Sequence, residues 1–317
     1  MSPIRLPDMS HSFARLGFRR LFGAITAVGL VFGIVVSQAV ASNHVQRFVS
    51  SSVEDGSVRT STIGLLYQRT SDLTTVCQSY LLIEPISELV PIATLVLFVG
   101  GAGRIGVFDQ GVGVRANNFL YRTRYQFAAS GPFNVALIDA PEPNACTGAF
   151  SNLFSLNGLR ASNPHAEDMG LVMDDLRSQL GGSVWVVGTS RGTISAAFAA
   201  AVLSGTSAPD GLVLTATLTR EERAGRNDVF DVPLSQVTVP TLIVSHKDDG
   251  CEFTPPVDWI QLWLILRQSA PDVRAWIFRG GLPPISDPCN ALSDHGFFGI
   301  ERRVVSFISN WVINRTP

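Results

Sequence analysis

The sequence predicts an α/β fold, with a mainly parallel sheet covered by helices on both faces. Continuous apolar, β-branched runs recur at residues 93–99, 134–138, 184–187, 212–214 and 241–244. Strands buried on both faces read this way. Segments of helical period alternate with these runs, and glycine clusters close several of them. That alternation places parallel strands side by side, joined by crossover helices. Apolar residues make up 46% of the 317 positions and charged residues 16%, a core-forming composition without disordered bias. No repeat and no linker interrupts the pattern, so residues 42–317 read as one domain.

Residues 1–41 read as a targeting segment. Arg15, Arg19 and Arg20 precede an apolar stretch from Leu21 to Val36, and Ala39 and Ala41 suit signal peptidase. Cleavage is expected after Ala41. The alternative is an uncleaved anchor facing outward, although the apolar run is near the lower limit for spanning a bilayer. In either case the rest of the chain is expected outside the cytoplasm, periplasmic or secreted. With the segment removed, no stable membrane association is expected. The net charge of −2 becomes more acidic on losing four arginines and one aspartate. No basic stripe remains to neutralise phosphates, which argues against a nucleic-acid partner.

The remaining elements follow in order. Residues 43–62 read as an irregular or edge lead-in, and 63–67 and 80–83 as two short strands. Residues 115–129 have helical character. The segment 140–164 carries Pro141, Pro143 and Gly148 and reads as a long loop, a length that tends to be functional. From His165 to Leu180, the residues Met169, Val172, Met173, Leu176 and Leu180 fall on one helical face, and Gly181-Gly182 ends it. A small-residue helix spans 193–203, another helix 257–268, a last strand 273–278, and a closing amphipathic helix about 298–312.

The chemistry centres on Gly188-Thr189-Ser190-Arg191-Gly192. This motif follows a buried strand directly and opens into a helix. A strand-to-helix turn that lifts a serine hydroxyl above a sheet crowds the backbone, so its flanks must be small. A serine hydroxyl then needs a base, usually a histidine held by a carboxylate. Among the five histidines, His11 lies in the targeting segment and His44 beside the expected new N-terminus. His165 opens a helix upstream of Ser190. His246 ends a strand beside an acidic pair and reads as a structural neighbour. His295, in the loop between the last strand and last helix, is the favoured base. The acid is expected in the turn after strand 241–245, with Asp249 favoured and Asp248 the alternative. Asp294 reads as a charged bystander. Oxyanion donors are expected from the backbone of Arg191 and from the glycine-rich turn at residues 100–103, with Ala102 first and Gly101 second. That turn lacks both the Lys-Ser/Thr of a P-loop and a dinucleotide-binding frame. The four cysteines, Cys77, Cys146, Cys251 and Cys289, lack zinc-site spacing. No cofactor and no metal are therefore expected.

Strand, Gly-Gly-Ala-Gly turn, strand, Gly-Thr-Ser-Arg-Gly, then acid, then histidine resembles the α/β-hydrolase superfamily over roughly residues 60–315. The resemblance implies an eight-stranded core without a large cap domain, and a Ser190–Asp249–His295 triad acting on ester or amide bonds through an acyl-enzyme. Two departures stand out. Arginine follows the serine, and no histidine opens the oxyanion turn. On that scheme the acid and base loops lie side by side, implying a Cys251–Cys289 disulfide and leaving Cys77 for Cys146. An even cysteine count also suits an oxidising compartment. Phe150, Leu153, Phe154, Leu156, Trp259, Trp263, Phe297 and Phe298 are candidates for an apolar acyl pocket, with core packing the plainer role for each. A small-molecule carboxylic ester is the expected substrate. An amidase or peptidase with the same residues, or a non-catalytic binding protein on the same fold, are the alternatives.

Overall fold

The computed structural model describes residues 45–107, 117–147, 155–221 and 226–316. By its contacts the chain divides into two compact units, residues 1–36 and 37–317, and all described residues lie in the second. The expected targeting segment 1–41, and Phe150, Leu153 and Phe154, lie outside the described residues.

The strands are β1 (Gln46–Asp55), β2 (Val58–Gln68), β3 (Thr75–Pro85), β4 (Ala93–Phe98), β5 (Phe133–Ile138), β6 (Glu142–Pro143), β7 (Ser183–Ser190), β8 (Gly211–Thr217), β9 (Thr241–His246) and β10 (Val273–Phe278). The helices are α1 (Phe119–Ala129), α2 (Asn163–Leu180), α3 (Gly192–Val202), α4 (Trp259–Leu266) and α5 (Glu301–Ile313). All strands join one sheet in the order β1-β2-β3-β5-β4-β7-β8-β9-β10, with β6 paired to β3. From β5 to β10 along that order the pairings are parallel. From β1 to β5 they are antiparallel.

The expected eight strands are thus a ten-stranded sheet. The two added strands among the described residues are β1, in the lead-in read as irregular or edge chain, and the two-residue β6, within the segment read as a long loop. β1 and β2 form a hairpin whose register runs to Asp55 opposite Val58, turned by Gly56-Ser57 with Gly56 at φ +59°. A glycine opening a two-residue loop is a hairpin signature. Arg47 on β1 also pairs with Asp175 of α2 at 2.8 Å, fastening the strand to the body.

Strand residues alternate between two cores. On one face, Val96, Phe98, Val184, Val186, Leu212, Leu214 and Ile243 pack under α2, α3 and α4. On the other, Leu95, Leu97, Trp185, Val187, Val213, Leu242 and Val244 pack under α1 and α5. A period of two in fully apolar strands requires cover on both sides. The helices supply it through Met169, Val172 and Met173 on one face and Val304, Ile308 and Trp311 on the other.

This topology positions the site. The chain leaves β4 toward β5 on one side, and leaves β7 toward β8 on the other. Adjacent parallel strands with oppositely directed exits open a crevice at their C-terminal ends. The turn at residues 100–103 follows β4, and Ser190 ends β7.

Candidate active site

Ser190 has φ +52°, a left-handed backbone that a non-glycine residue rarely adopts. The β7–β8 register breaks between Thr189 and Ser190, so the strand kinks out at this residue. The kink depends on its glycines. A Cβ on Gly188 would come within 2.5 Å of the Gly192 carbonyl oxygen, and one on Gly192 within 2.0 Å of the Phe98 oxygen. The Thr193 hydroxyl donates to the Ser190 carbonyl at 2.5 Å and locks the first turn of α3. Ser190 Oγ makes no hydrogen bond among the described residues.

The glycine-rich turn lies against this serine. A Cβ on Gly100 would sit 3.0 Å from Ser190 Cβ and 3.4 Å from Asn118 Nδ2. Asn118 caps α1, its Oδ1 accepting from the Leu120 N–H at 3.1 Å, which turns its amide nitrogen toward the turn. The Ala102 carbonyl accepts from the Leu156 N–H at 2.9 Å. The amides of Gly101 and Ala102 have no acceptor among the described residues. The Arg191 backbone opens α3, where helix amides lack intrahelical partners. Its guanidinium reaches away to Asn157 Oδ1 at 2.6 Å.

Asp249 and His295 meet directly: His295 Nδ1 lies 3.0 Å from Asp249 Oδ2, within hydrogen-bond distance. Both are buried. A carboxylate only accepts, so Nδ1 carries the proton and Nε2 is left as the acceptor. The same carboxylate accepts from the Cys251 N–H at 2.9 Å and from the Thr254 hydroxyl at 3.0 Å. Thr254 Oγ1 is also 3.0 Å from His295 Nδ1, so one threonine touches both members of the pair. Arg122 of α1 donates to the Gly296 carbonyl and pairs with Glu301 at 2.9 Å, which ties the loop at His295 to α1 and α5.

The cysteines lie on these same loops. Cys251 bonds Cys289 with an S–S distance of 2.03 Å, joining the turn after β9 to the loop before His295. Cys77 bonds Cys146 at 1.98 Å, joining β3 to the segment after β6.

The other candidates have different surroundings. Asp248 is exposed. His246 is buried with both nitrogens engaged: Nδ1 accepts from the Asp248 N–H at 3.2 Å, and Nε2 donates to the Gly280 carbonyl at 2.7 Å. Asp294 lies 3.5 Å from His246 Nδ1, not beside His295 Nδ1. His165 is buried in the first turn of α2, edge-on to Phe98. Burial and the nearby charges of Arg160 and Arg69 pull its pKa down to about 3. The described apolar candidates lie apart. Leu156 is buried against Gly103, Trp259 and Trp263 pack on the core beneath α2, α3 and α4, and Phe297 lies in the opposite core with its ring tilted against Phe119 at 5.0 Å. The sequence carries no distinguishing signal for Thr254 or Arg122. Asn118 carries one, since an asparagine just ahead of a helix is an N-cap.

No protein-family model matches the sequence, and no curated protein matches it. Solved structures do resemble the fold. A cold-adapted esterase from an Arctic intertidal metagenomic library is 14% identical with a TM-score of 0.53, over 84% of this chain and 97% of that one. An esterase of Pyrococcus furiosus is 10% identical with a TM-score of 0.52, over 80% and 91%. An arylesterase is 12% identical with a TM-score of 0.50, over 80% and 83%. At these identities the likeness concerns architecture: the chain has an α/β-hydrolase fold.

Proposed function

We propose that this protein is an exported serine hydrolase that cleaves carboxylic esters. The observation that carries the reading is the buried His295–Asp249 bond of 3.0 Å on the sheet edge where Ser190 sits in a left-handed turn. Ser190 Oγ attacks the ester carbonyl carbon while His295 Nε2 takes the hydroxyl proton. Asp249 holds the imidazole in the tautomer this needs and stabilises the imidazolium. The amides of Ala102, Arg191 and Gly101 face the oxygen as it gains charge. The carbon–oxygen bond to the leaving alcohol then breaks, with His295 returning the proton to it. Water hydrolyses the acyl-serine by the same route.

The structural neighbours are esterases, which supports ester hydrolysis as the bond class. Between β8 and β9 the described residues hold only two short 3₁₀ turns, which suits an open site and short or medium acyl groups. The two disulfides support export into an oxidising compartment. Among the described residues, no helix is long and apolar enough to cross a membrane.

Turnover of p-nitrophenyl acetate and butyrate, set against that of the matching p-nitroanilides, tests the bond class. Ester hydrolysis is expected to exceed anilide hydrolysis by orders of magnitude. Preferred cleavage of the anilide would make the enzyme an amidase.

A further inference from the structure

Arg160 is almost fully buried, at 4% exposure, beneath the turn that follows β4. Its Nη2 donates to the carbonyls of Val99 at 3.0 Å and Gly101 at 3.1 Å. Its Nη1 donates to Ser195 Oγ of α3 at 2.8 Å. One planar guanidinium therefore bonds the oxyanion turn and the helix that Ser190 opens. The guanidinium packs close under Gly103, whose φ is +78° and where a Cβ would fall 2.8 Å from Arg160 Nη2 and 2.5 Å from Leu156 Cδ1.

The peptide plane converts this contact into control of a donor. Among the described residues no peptide bond is cis, so the Gly101 carbonyl and the Ala102 N–H point in opposite directions from one rigid unit. Holding the Gly101 oxygen on the Arg160 side fixes the direction of the Ala102 amide. Holding Ser195 fixes α3, whose N-cap residue is Arg191. The Ala102 and Arg191 amides follow separate strands of the sheet, β4 and β7, and Arg160 spans the two segments.

We propose that Arg160 is a positioning residue that sets the spacing and direction of the oxyanion donors. This rests on the serine-hydrolase reading. A guanidinium is suited to the task because its donors form a fixed fork, whereas lysine presents a single flexible ammonium.

The test compares wild type, Arg160→Lys and Arg160→Ala in p-nitrophenyl butyrate hydrolysis and in inhibition by phenylboronic acid. The boronate forms a tetrahedral adduct on serine and reports donor alignment independently of substrate affinity. Arg160→Lys is expected to lower kcat by roughly 10- to 100-fold, the scale of a donor displaced by an ångström. KM should stay within about twofold, and the boronate Ki should rise by the same factor as kcat falls. Millimolar guanidinium should restore part of kcat to Arg160→Ala. Should Arg160→Ala fail to fold, Ser195→Ala serves instead, with a smaller kcat loss and the same parallel change in boronate Ki. A folded Arg160→Lys enzyme with wild-type kcat and boronate Ki overturns the proposal and leaves the hydrolase reading intact. So does a loss explained wholly by fewer active molecules. A wild-type protein that turns over no ester overturns the parent reading and this role with it.

Discussion

Asp248 and Asp249 are adjacent, yet only one is buried against His295. Asp249 is buried and accepts from Cys251, Thr254 and His295, while Asp248 is exposed. Asp249→Asn should lower kcat for ester hydrolysis by about 10³–10⁴-fold, because an amide at that place disfavours the productive histidine tautomer. Asp248→Asn should stay within about twofold of wild type. The opposite pattern in steady-state kinetics would move the acid to Asp248. The sequence narrows the acid to this turn and favours Asp249. Its geometry is set by the rotation of the turn, through a backbone amide and a threonine five positions on, and neither leaves a pattern. Ser190 was more legible. Its left-handed backbone costs on the order of 1–3 kcal/mol, and the glycines that make room for it are visible in the motif itself.

At the scale of elements, the turn that carries Asp249 and the loop that carries His295 are joined by a covalent bond. Cys251 contributes twice, its amide holding Asp249 and its sulfur holding Cys289. The cysteines are 38 residues apart, and closing such a loop stabilises by about 4 kcal/mol in the chain-entropy model. The double variant Cys251→Ala/Cys289→Ala should lose stability on that scale in urea unfolding. Its kcat should also fall below 25 °C, where it stays folded, because the pair is less well held. Full kcat in the folded variant would limit the disulfide to stability. Strands β4, β5, β7, β8 and β9 were legible as apolar runs because both faces are buried. β1 was not, since as an edge strand of serine, valine and charge it resembles a loop. The Gly56-Ser57 turn was the available sign of it.

For the whole molecule, the parallel sheet with its exits diverging at β4 and β7 gathers Ser190, Asp249, His295 and the glycine-rich turn on one edge. The order of the motifs along the chain made that gathering legible. The clamp by Arg160 and the separation of the apolar residues into two cores were not, because both depend on packing between distant segments. The same packing sets a response to acid. His165 has a pKa of about 3 when folded and 6.5 in its ordinary state. Between those values the unfolded chain binds a proton that the folded chain refuses. Stability therefore falls as pH drops from about 6.5 toward 3, by up to about 1.4 kcal/mol per pH unit from this group. His165→Leu should flatten the pH dependence of urea unfolding between pH 6 and 4, and an unchanged slope would exclude His165 as its source. Whether Ser190 is the nucleophile is decided by covalent labelling with a fluorophosphonate, mapped by peptide mass spectrometry. One adduct is expected, on Ser190, with labelling and ester hydrolysis both lost in Ser190→Ala. Undiminished hydrolysis by Ser190→Ala, or an adduct on another residue, would contradict it.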